Sequence, residues 1–194
     1  PDSGGSVSVL SDRSIRACLD SLSDPRLRIE PLADGAIQPA SVDIRLGHRL
    51  QVRERGTIVD PLLGTGPKWV DACHVEDGAW LLWPDHLYLG VMLEFVQVPN
   101  DLLCLLHGRS TLAREGITIH QQAGLLDPGY QGHCTFEITV THLTRLRPEM
   151  PIGQLTFHRL TTPAEAPYGS PGLSSKYQGN TEPVPARPWK EVAS

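Results

Sequence analysis

The stretch "IQPASVDIRLGHRL", residues 37–50, alternates apolar and polar side chains with a period of two. Val42, Ile44 and Leu46 fall on one face and Ser41, Asp43 and Arg45 on the other, the mark of a strand with one face in a core. Working outward, the same pattern recurs. "HLYLGVMLEFVQV" (86–98) places Leu87, Leu89, Val91, Leu93 and Phe95 on one face, and the phase slips at Val96 and Val98, which predicts a bulge or strand end there. "DLLCLLHG" (101–108) is a short apolar run that reads as a strand buried on both faces, and "LTRLRPEMPIGQLTFHRL" (143–160) is a Pro-marked turn followed by another strand. The exception lies upstream. In "LSDRSIRACLDSL" (10–22), Ile15, Cys18, Leu19 and Leu22 follow helical spacing behind Ser11 or Asp12 as N-cap, which predicts one short amphipathic helix. Many short strands, 18 Gly, 17 Pro and so little helix predict an all-β barrel or sandwich.

The 194 residues suit one domain, burying about 70% of its unfolded surface on folding. A formal charge of −5 disfavours a nucleic-acid-coating surface, though an acidic protein can still hold a local basic pocket. No apolar run approaches the roughly 20 residues of a membrane span, and the opening residues 1–9 read as a flexible lead-in without a signal sequence. Cys18, Cys73, Cys104 and Cys134 are widely spaced, which fits buried thiols of a reducing, cytoplasmic compartment better than a disulfide set. Cys73-His74 makes a poor zinc pair, because adjacent strand residues point to opposite faces. From residue 161 to 194 the chain carries six prolines and few apolar side chains, so it builds no core of its own. It reads as an arm appended to a domain spanning 10–160, with Tyr168, Lys176 and Tyr177 suited to folding over a ligand.

The chemistry is concentrated between residues 107 and 140. In "HCTFEITV" (133–140), Cys134, Phe136, Ile138 and Val140 make the apolar face, which leaves Glu137 on the polar face with His133, Thr135 and Thr139. By itself that is an ordinary solvated glutamate. Asp127 in "LLDPGY" likewise reads as a turn residue. "GRST" (108–111) offers a permissive backbone, a guanidinium and two hydroxyls, a plausible phosphate cradle without the spacing of a P-loop.

Taken in order, "PASVDIRLG", "GRSTLAREG", "H-x-x-AG-x-x-DPGY-x-G", the glutamate ten residues after that aspartate, "MPIGQLTF", "PYG" and "SSKYQG" resemble the dCTP deaminases of the dUTPase-like superfamily, from about residue 10 to residue 188. The resemblance implies an all-β, distorted barrel of β-clip type with a short N-terminal helix and an extended C-terminal arm. It also implies a homotrimer with active sites at subunit interfaces. Glu137 would be the general base that activates water against C4 of cytosine, with Ser110 and Arg114 holding water and carboxylate. Backbone groups of Gln121, Gln122 and Ala123 would read the base. Asp127 would bind the 3′-hydroxyl, and Tyr130 would pack on the deoxyribose. Arg109, Ser110, Thr111, Gln154, Tyr168, Lys176 and Asn180 would serve the triphosphate, with Mg2+ bound through the phosphates and no metal ligand from the protein. Zinc deaminases carry H-x-E and P-C-x-x-C, and neither occurs here, which fits water activation by a carboxylate.

The chain departs from that pattern at three places: Gln122 where the family usually has threonine, Thr111 for serine, and Asn180 for glutamine. Gln122 bears on base selection and on feedback by dTTP. Gly124 resembles the bifunctional members that deaminate dCTP and split the resulting dUTP to dUMP and pyrophosphate. A plain dUTPase shares the "AG-x-x-D-x-x-Y-x-G" core but generally lacks the glutamate and the "SSKYQG" arm. A non-catalytic nucleotide-binding or regulatory homologue is suggested only by Gln122.

Overall fold

The alternation around Val42 becomes the longest strand of the protein in the computed structural model, which describes residues 8–62 and 66–187. The start of the lead-in (1–7) and the end of the arm (188–194) lie outside the described residues. Helix α1 (Asp12–Leu19) opens the chain, capped by the backbone of Ser11, and buries Ile15. Leu22, expected on its apolar face, lies beyond the helix and is 95% exposed, because the helix ends at Leu19. Strands β1 (Arg28–Glu30), β2 (Ile37–Gln38), β3 (Ser41–Arg53), β4 (Trp69–Asp71), β5 (Trp80–Leu82), β6 (Tyr88–Met92), β7 (Phe95–Gln97) and β8 (Leu102–Gly108) follow. A one-and-a-half-turn helix α2 (Ser110–Arg114) then precedes β9 (Ile117–Thr118), β10 (Leu125–Leu126), β11 (Gln131–Gly132), β12 (Thr135–Val140), β13 (Thr144–Leu146) and β14 (Pro151–Arg159).

The main sheet runs β10-β8-β14-β3-β6-β12-β9, with β2 and β4 also paired to β3, and its ladders are antiparallel. Its two ends meet. β9 and β10 lie on opposite edges, yet only residues 119–124 separate them in sequence. Across this gap Glu137 N–H donates to the carbonyl of Ile119 (3.0 Å) and Leu106 N–H to the carbonyl of Gly124 (2.7 Å). The sheet is therefore curled into a distorted barrel whose seam is bridged by six residues. Small sheets β1-β7-β11 and β13-β5 flank it.

The inside is filled by alternate residues of the long strands: Val42, Ile44 and Leu46 from β3, Leu102, Cys104 and Leu106 from β8, Phe136 and Ile138 from β12, Leu155 and Phe157 from β14. β8 buries only this one face fully, since Leu103 and Leu105 keep partial exposure. A Cβ at Gly47 would stand 2.9 Å from both Val91 Cγ1 and the Val91 carbonyl, so the close crossing of β3 over β6 requires glycine there.

The strand expected to run from 86 to a slip near Val96 breaks earlier. β6 is buried on both faces, and the phase shifts at Leu93-Glu94 instead of after Phe95. Leu93 and Phe95 are half-buried, whereas Glu94 is 1% exposed. The reason is local: Glu94 accepts from Arg45 N–H (2.9 Å) and Arg45 Nε (2.7 Å), and Leu93 N–H donates to the Arg45 carbonyl (2.9 Å). The carboxylate replaces the backbone acceptor that the broken strand withdraws from β3. Glu94→Ala leaves a guanidinium and an amide without their acceptor and is expected to cost about 3 kcal/mol or more, with Glu94→Gln costing less. Urea unfolding midpoints measure this; an unchanged Glu94→Ala midpoint overturns the clamp.

Candidate active site

The seam that closes the barrel also forms one wall of a cavity of about 730 Å3. Glu137 lies in that cavity on the polar face of β12, half-buried, with both its backbone and its side chain tied to the seam. Its N–H is held by the Ile119 carbonyl, and Gln121 N–H donates to Oε2 at 3.2 Å. Such a bond fixes one carboxylate oxygen and leaves the other to address whatever enters. Gln121, Gln122 and Ala123 line the same cavity. Gly124 is needed where it stands: a Cβ there would lie 2.8 Å from the Leu106 carbonyl and 3.3 Å from the His120 ring.

Asp127 and Tyr130 complete the floor. Asp127 starts the Asp-Pro-Gly turn, whose carbonyl accepts from Tyr130 N–H (3.0 Å), while Gly129 N–H donates to the Val98 carbonyl (3.0 Å). Tyr130 is 7% exposed and stacks at a tilt on Tyr168, with ring centroids 6.0 Å apart. Burial raises the Tyr130 phenol above its ordinary range, and Tyr168 rises for the same reason, so both are neutral hydrogen-bonding surfaces near pH 7. Burial, followed by the Glu137 charge, pushes the Cys134 thiol up to about 12. Cys134 lines the cavity as a protonated thiol, not as a nucleophile.

The arm, described to residue 187, has neither helix nor strand, but it is docked. Tyr168 N–H donates to the Pro128 carbonyl (2.7 Å) and Gly179 N–H to that of Gln131 (2.8 Å). His133 N–H donates to the Asn180 carbonyl (2.7 Å), and Gln178 Nε2 to that of Gly129 (2.9 Å). Tyr177 N–H donates to the Tyr168 hydroxyl (2.8 Å). Further along, Val184 N–H reaches Thr135 Oγ1 (3.2 Å) and Glu182 pairs with Arg49 (2.9 Å). Tyr168, Lys176 and Asn180 all face the cavity as a result.

Nine sequence-predicted residues are thus brought together: Gln121, Gln122, Ala123, Asp127, Tyr130, Glu137, Tyr168, Lys176 and Asn180. Five others are not. Ser110, Thr111 and Arg114 lie exposed on α2, outside this cavity. Arg109 is engaged by Asp43 (2.9 Å), and Gln154 accepts from Ser41 Oγ (3.3 Å). Gln154 is the direct partner of both Asp43 and His107 in the sheet, so Arg109 and Gln154 belong to a second polar cluster on β3, β14 and β8. Sequence reasoning missed Trp69, Leu87, Leu89, Thr135 and Val184 as cavity residues. Strand alternation placed Leu87, Leu89 and Thr135 on their faces; nothing local marked Trp69 or Val184.

Comparison with known proteins adds a family. Residues 9–160 match the family model described as dCTP deaminase-like. The chain is 40% identical over 187 residues to a protein of Parafrankia sp. named "dCTP deaminase, dUMP-forming", covering 94% of this chain and 92% of that one. A protein of the same name from Mycolicibacterium smegmatis is 42% identical over 183 residues, covering 92% and 95%. Among solved structures, the 2'-deoxycytidine 5'-triphosphate deaminase of Agrobacterium tumefaciens superposes with a TM-score of 0.59 at 24% identity, over 79% of this chain. The present chain spans about half of that longer one, 48%, and the likeness is one of fold.

The arm is held by hydrogen bonds, an ion pair and the Tyr130–Tyr168 contact, and of its described residues only Tyr168 packs against the hydrophobic core, so its removal is separable from folding. Deleting residues 162–194 is expected to retain a cooperative unfolding transition while weakening binding of dCTP, the nucleotide named for the relatives, at least tenfold by calorimetry. Full-strength binding by the truncated protein would reduce the arm to a passive tail.

Proposed function

This chain belongs to the dCTP deaminase-like family, and from that premise we propose that it deaminates dCTP hydrolytically to dUTP and hydrolyses the dUTP onward to dUMP and pyrophosphate. The observation that carries this reading is the coupling of Glu137 to the seam. One hydrogen bond, Gln121 N–H to Oε2, sets a carboxylate beside the backbone that faces a base. Glu137 takes a proton from water as the oxygen bonds to C4 of cytosine. It returns a proton to the amino nitrogen, the C4–N bond breaks, and ammonia leaves. Gln121 to Ala123 read the base edge, Asp127 takes the 3′-hydroxyl, and Tyr130 packs on the sugar. The arm excludes water, which strengthens every charge contact inside. The dUMP-forming names of the relatives support the second hydrolysis, as does Gly124, the residue of the bifunctional resemblance, which stands against Leu106 and His120 where a larger residue would crowd.

Tyr168, Lys176 and Asn180 meet the triphosphate from within the cavity, and a second copy of the chain supplies the rest. Arg109, Ser110, Thr111, Arg114 and Gln154 stand outside the cavity of their own protomer, and in the proposed homotrimer they serve the cavity of a neighbour. Arg109 and Arg114 there join Lys176 as cations for phosphate and carboxylate charge. Among the described residues no group of three or more His, Cys, Asp and Glu side chains could cage a metal. Mg2+ fits the site as an ion carried on phosphate oxygens, its usual mode, where it neutralises triphosphate charge.

Incubation with dCTP, with ammonia and pyrophosphate assayed separately, tests the reading. Both products are expected; pyrophosphate from dUTP alone would make the protein a dUTPase, and neither product would make it a non-catalytic binder. Glu137→Gln should lower ammonia release by at least about 10²-fold, the typical worth of a general base, with dCTP still bound. Arg114→Ala should also be inactive alone. Mixing and re-assembling the two inactive proteins is expected to recover activity, because some sites then hold an intact Glu137 and an intact Arg114. No recovery would mean that each site is built within one chain.

Gln122 is exposed on the cavity wall and brings a donor and an acceptor where threonine would bring one short hydroxyl. Gln122→Thr is therefore expected to change dCTP against dUTP preference or sensitivity to dTTP, with the unfolding midpoint unmoved. Superimposable kinetics with and without dTTP would remove Gln122 from base selection.

A further inference from the structure

The turn that carries Asp127 and Tyr130 is held from outside the cavity. Asp127 and Tyr130 line the cavity beside Glu137, whereas Gly129 and Gln131 line a second hollow together with Gln178 of the arm. There the Gln178 carboxamide takes three partners. Its Nε2 donates to the Gly129 carbonyl (2.9 Å) and the Tyr168 carbonyl (3.4 Å), and its Oε1 accepts from Gln131 N–H (3.1 Å). Gly129 and Gln131 flank Tyr130, and the ring of Tyr168 lies against that of Tyr130. One side chain therefore ties the backbone on both sides of one tyrosine to the backbone of the other. The fit leaves no slack. A Cβ on Gly129 would stand 2.9 Å from the Tyr168 carbonyl oxygen, and one on Gly169 would stand 2.9 Å from Gln178 Nε2.

A carboxamide suits this place because, like a peptide group, it donates and accepts at once. β11 is the edge of its sheet, and the arm runs along it: Gly179 N–H takes the Gln131 carbonyl, and Gln178 supplies an acceptor to Gln131 N–H. A carboxylate would keep that acceptor and lose both donations. Gly179 on Gln131, the Asn180 carbonyl on His133 N–H and Glu182 on Arg49 tie the arm down independently. Losing the Gln178 amide therefore loosens the two tyrosines without releasing the arm. Resting on the deaminase reading above, in which Tyr130 packs on the sugar, we propose that Gln178 is the positioning residue of a Tyr130–Tyr168 wall. Through it the arm sets how strictly the site prefers a deoxyribonucleotide to a ribonucleotide. A ring held against C2′ leaves a hydroxyl there stripped of water and without a partner. A ring free to yield admits it.

The test compares kcat/KM for ammonia release from dCTP and from CTP on the full-length protein, wild type against Gln178→Ala and Gln178→Glu. The wild type is expected to prefer dCTP by about 10²-fold, the usual reach of an apolar surface against an added hydroxyl. Both variants should lower that preference about tenfold, the net worth of one or two hydrogen bonds. Unfolding midpoints should move little, since of the arm's described residues only Tyr168 packs against the core. Gln178→Glu, which keeps the bulk and one hydrogen bond, carries the comparison should Gln178→Ala melt early. A preference that neither variant moves overturns the proposal even where dCTP turnover falls, because a latch for the arm alone slows both nucleotides alike. A wild type that uses CTP as readily as dCTP overturns it too. If neither nucleotide releases ammonia, it is the deaminase reading that has failed. The ratio of calorimetric affinities for dCTP and CTP then decides, and an equal ratio in all three proteins refutes the positioning role.

Discussion

Six residues, Ile119 to Gly124, have to span the gap between the two edges of one curled sheet, and the site follows from that constraint. A chain crossing a seam has no strand partner along most of its length, so its polar groups must be satisfied one by one. Ile119 gives its carbonyl to Glu137 N–H, Gly124 gives its carbonyl to Leu106 N–H, and Gln121 gives its N–H to the Glu137 carboxylate. Gln121, Gln122 and Ala123 between these ties border the cavity. Closing the barrel and setting the bridge beside a carboxylate are thus a single structural event.

The arm carries the complementary constraint. Its composition gives it no core, and its ties to the barrel run through backbone groups at Pro128, Gly129, Gln131 and His133 and side chains at Thr135, Arg49 and Tyr130. A segment held this way loses conformational entropy that few buried contacts offset, so a molecule filling the cavity beside Tyr168 and Lys176 would shift its equilibrium. The barrel's interior is built on Phe136, Phe157, Ile44 and Leu106, and of the arm's described residues only Tyr168 packs against it. Stability and closure are carried by different parts of the chain.

Legibility in the sequence followed the range of the interactions. The long strands were readable because period-2 alternation is local: Val42, Ile44, Leu46 and Phe136, Ile138, Val140 are buried as their spacing predicts. The two-residue strands β9, β10 and β11 were not, since each exists only through a partner far along the chain. Glu94 broke the rule for the same reason; its burial depends on Arg45, 49 positions away, and no pattern within 86–98 contains that fact. Glu137 was legible as the polar residue of an apolar strand, whereas Asp127 looked like any turn aspartate until the whole series of motifs was compared with a family. Trp69 and Val184 reach the cavity from β4 and from the arm, elements whose positions no local pattern specifies.

The seam also bears a cost that the rest of the fold has to cover. Among the described residues His120 Nδ1 is buried without a hydrogen-bond partner, a burden of about 1–3 kcal/mol for such a group. Gly124 beside it tolerates no Cβ, so neither position is free to improve packing. A bridge optimised for stability would pair Gln121 N–H with backbone and bury an apolar side chain in place of His120. The first change would withdraw the donor that fixes Glu137. The chain instead spends its packing on the far side of β12, where Phe136 and Ile138 are fully buried, and leaves the seam polar. The strand that holds the carboxylate is rigid because of the face that the ligand never meets.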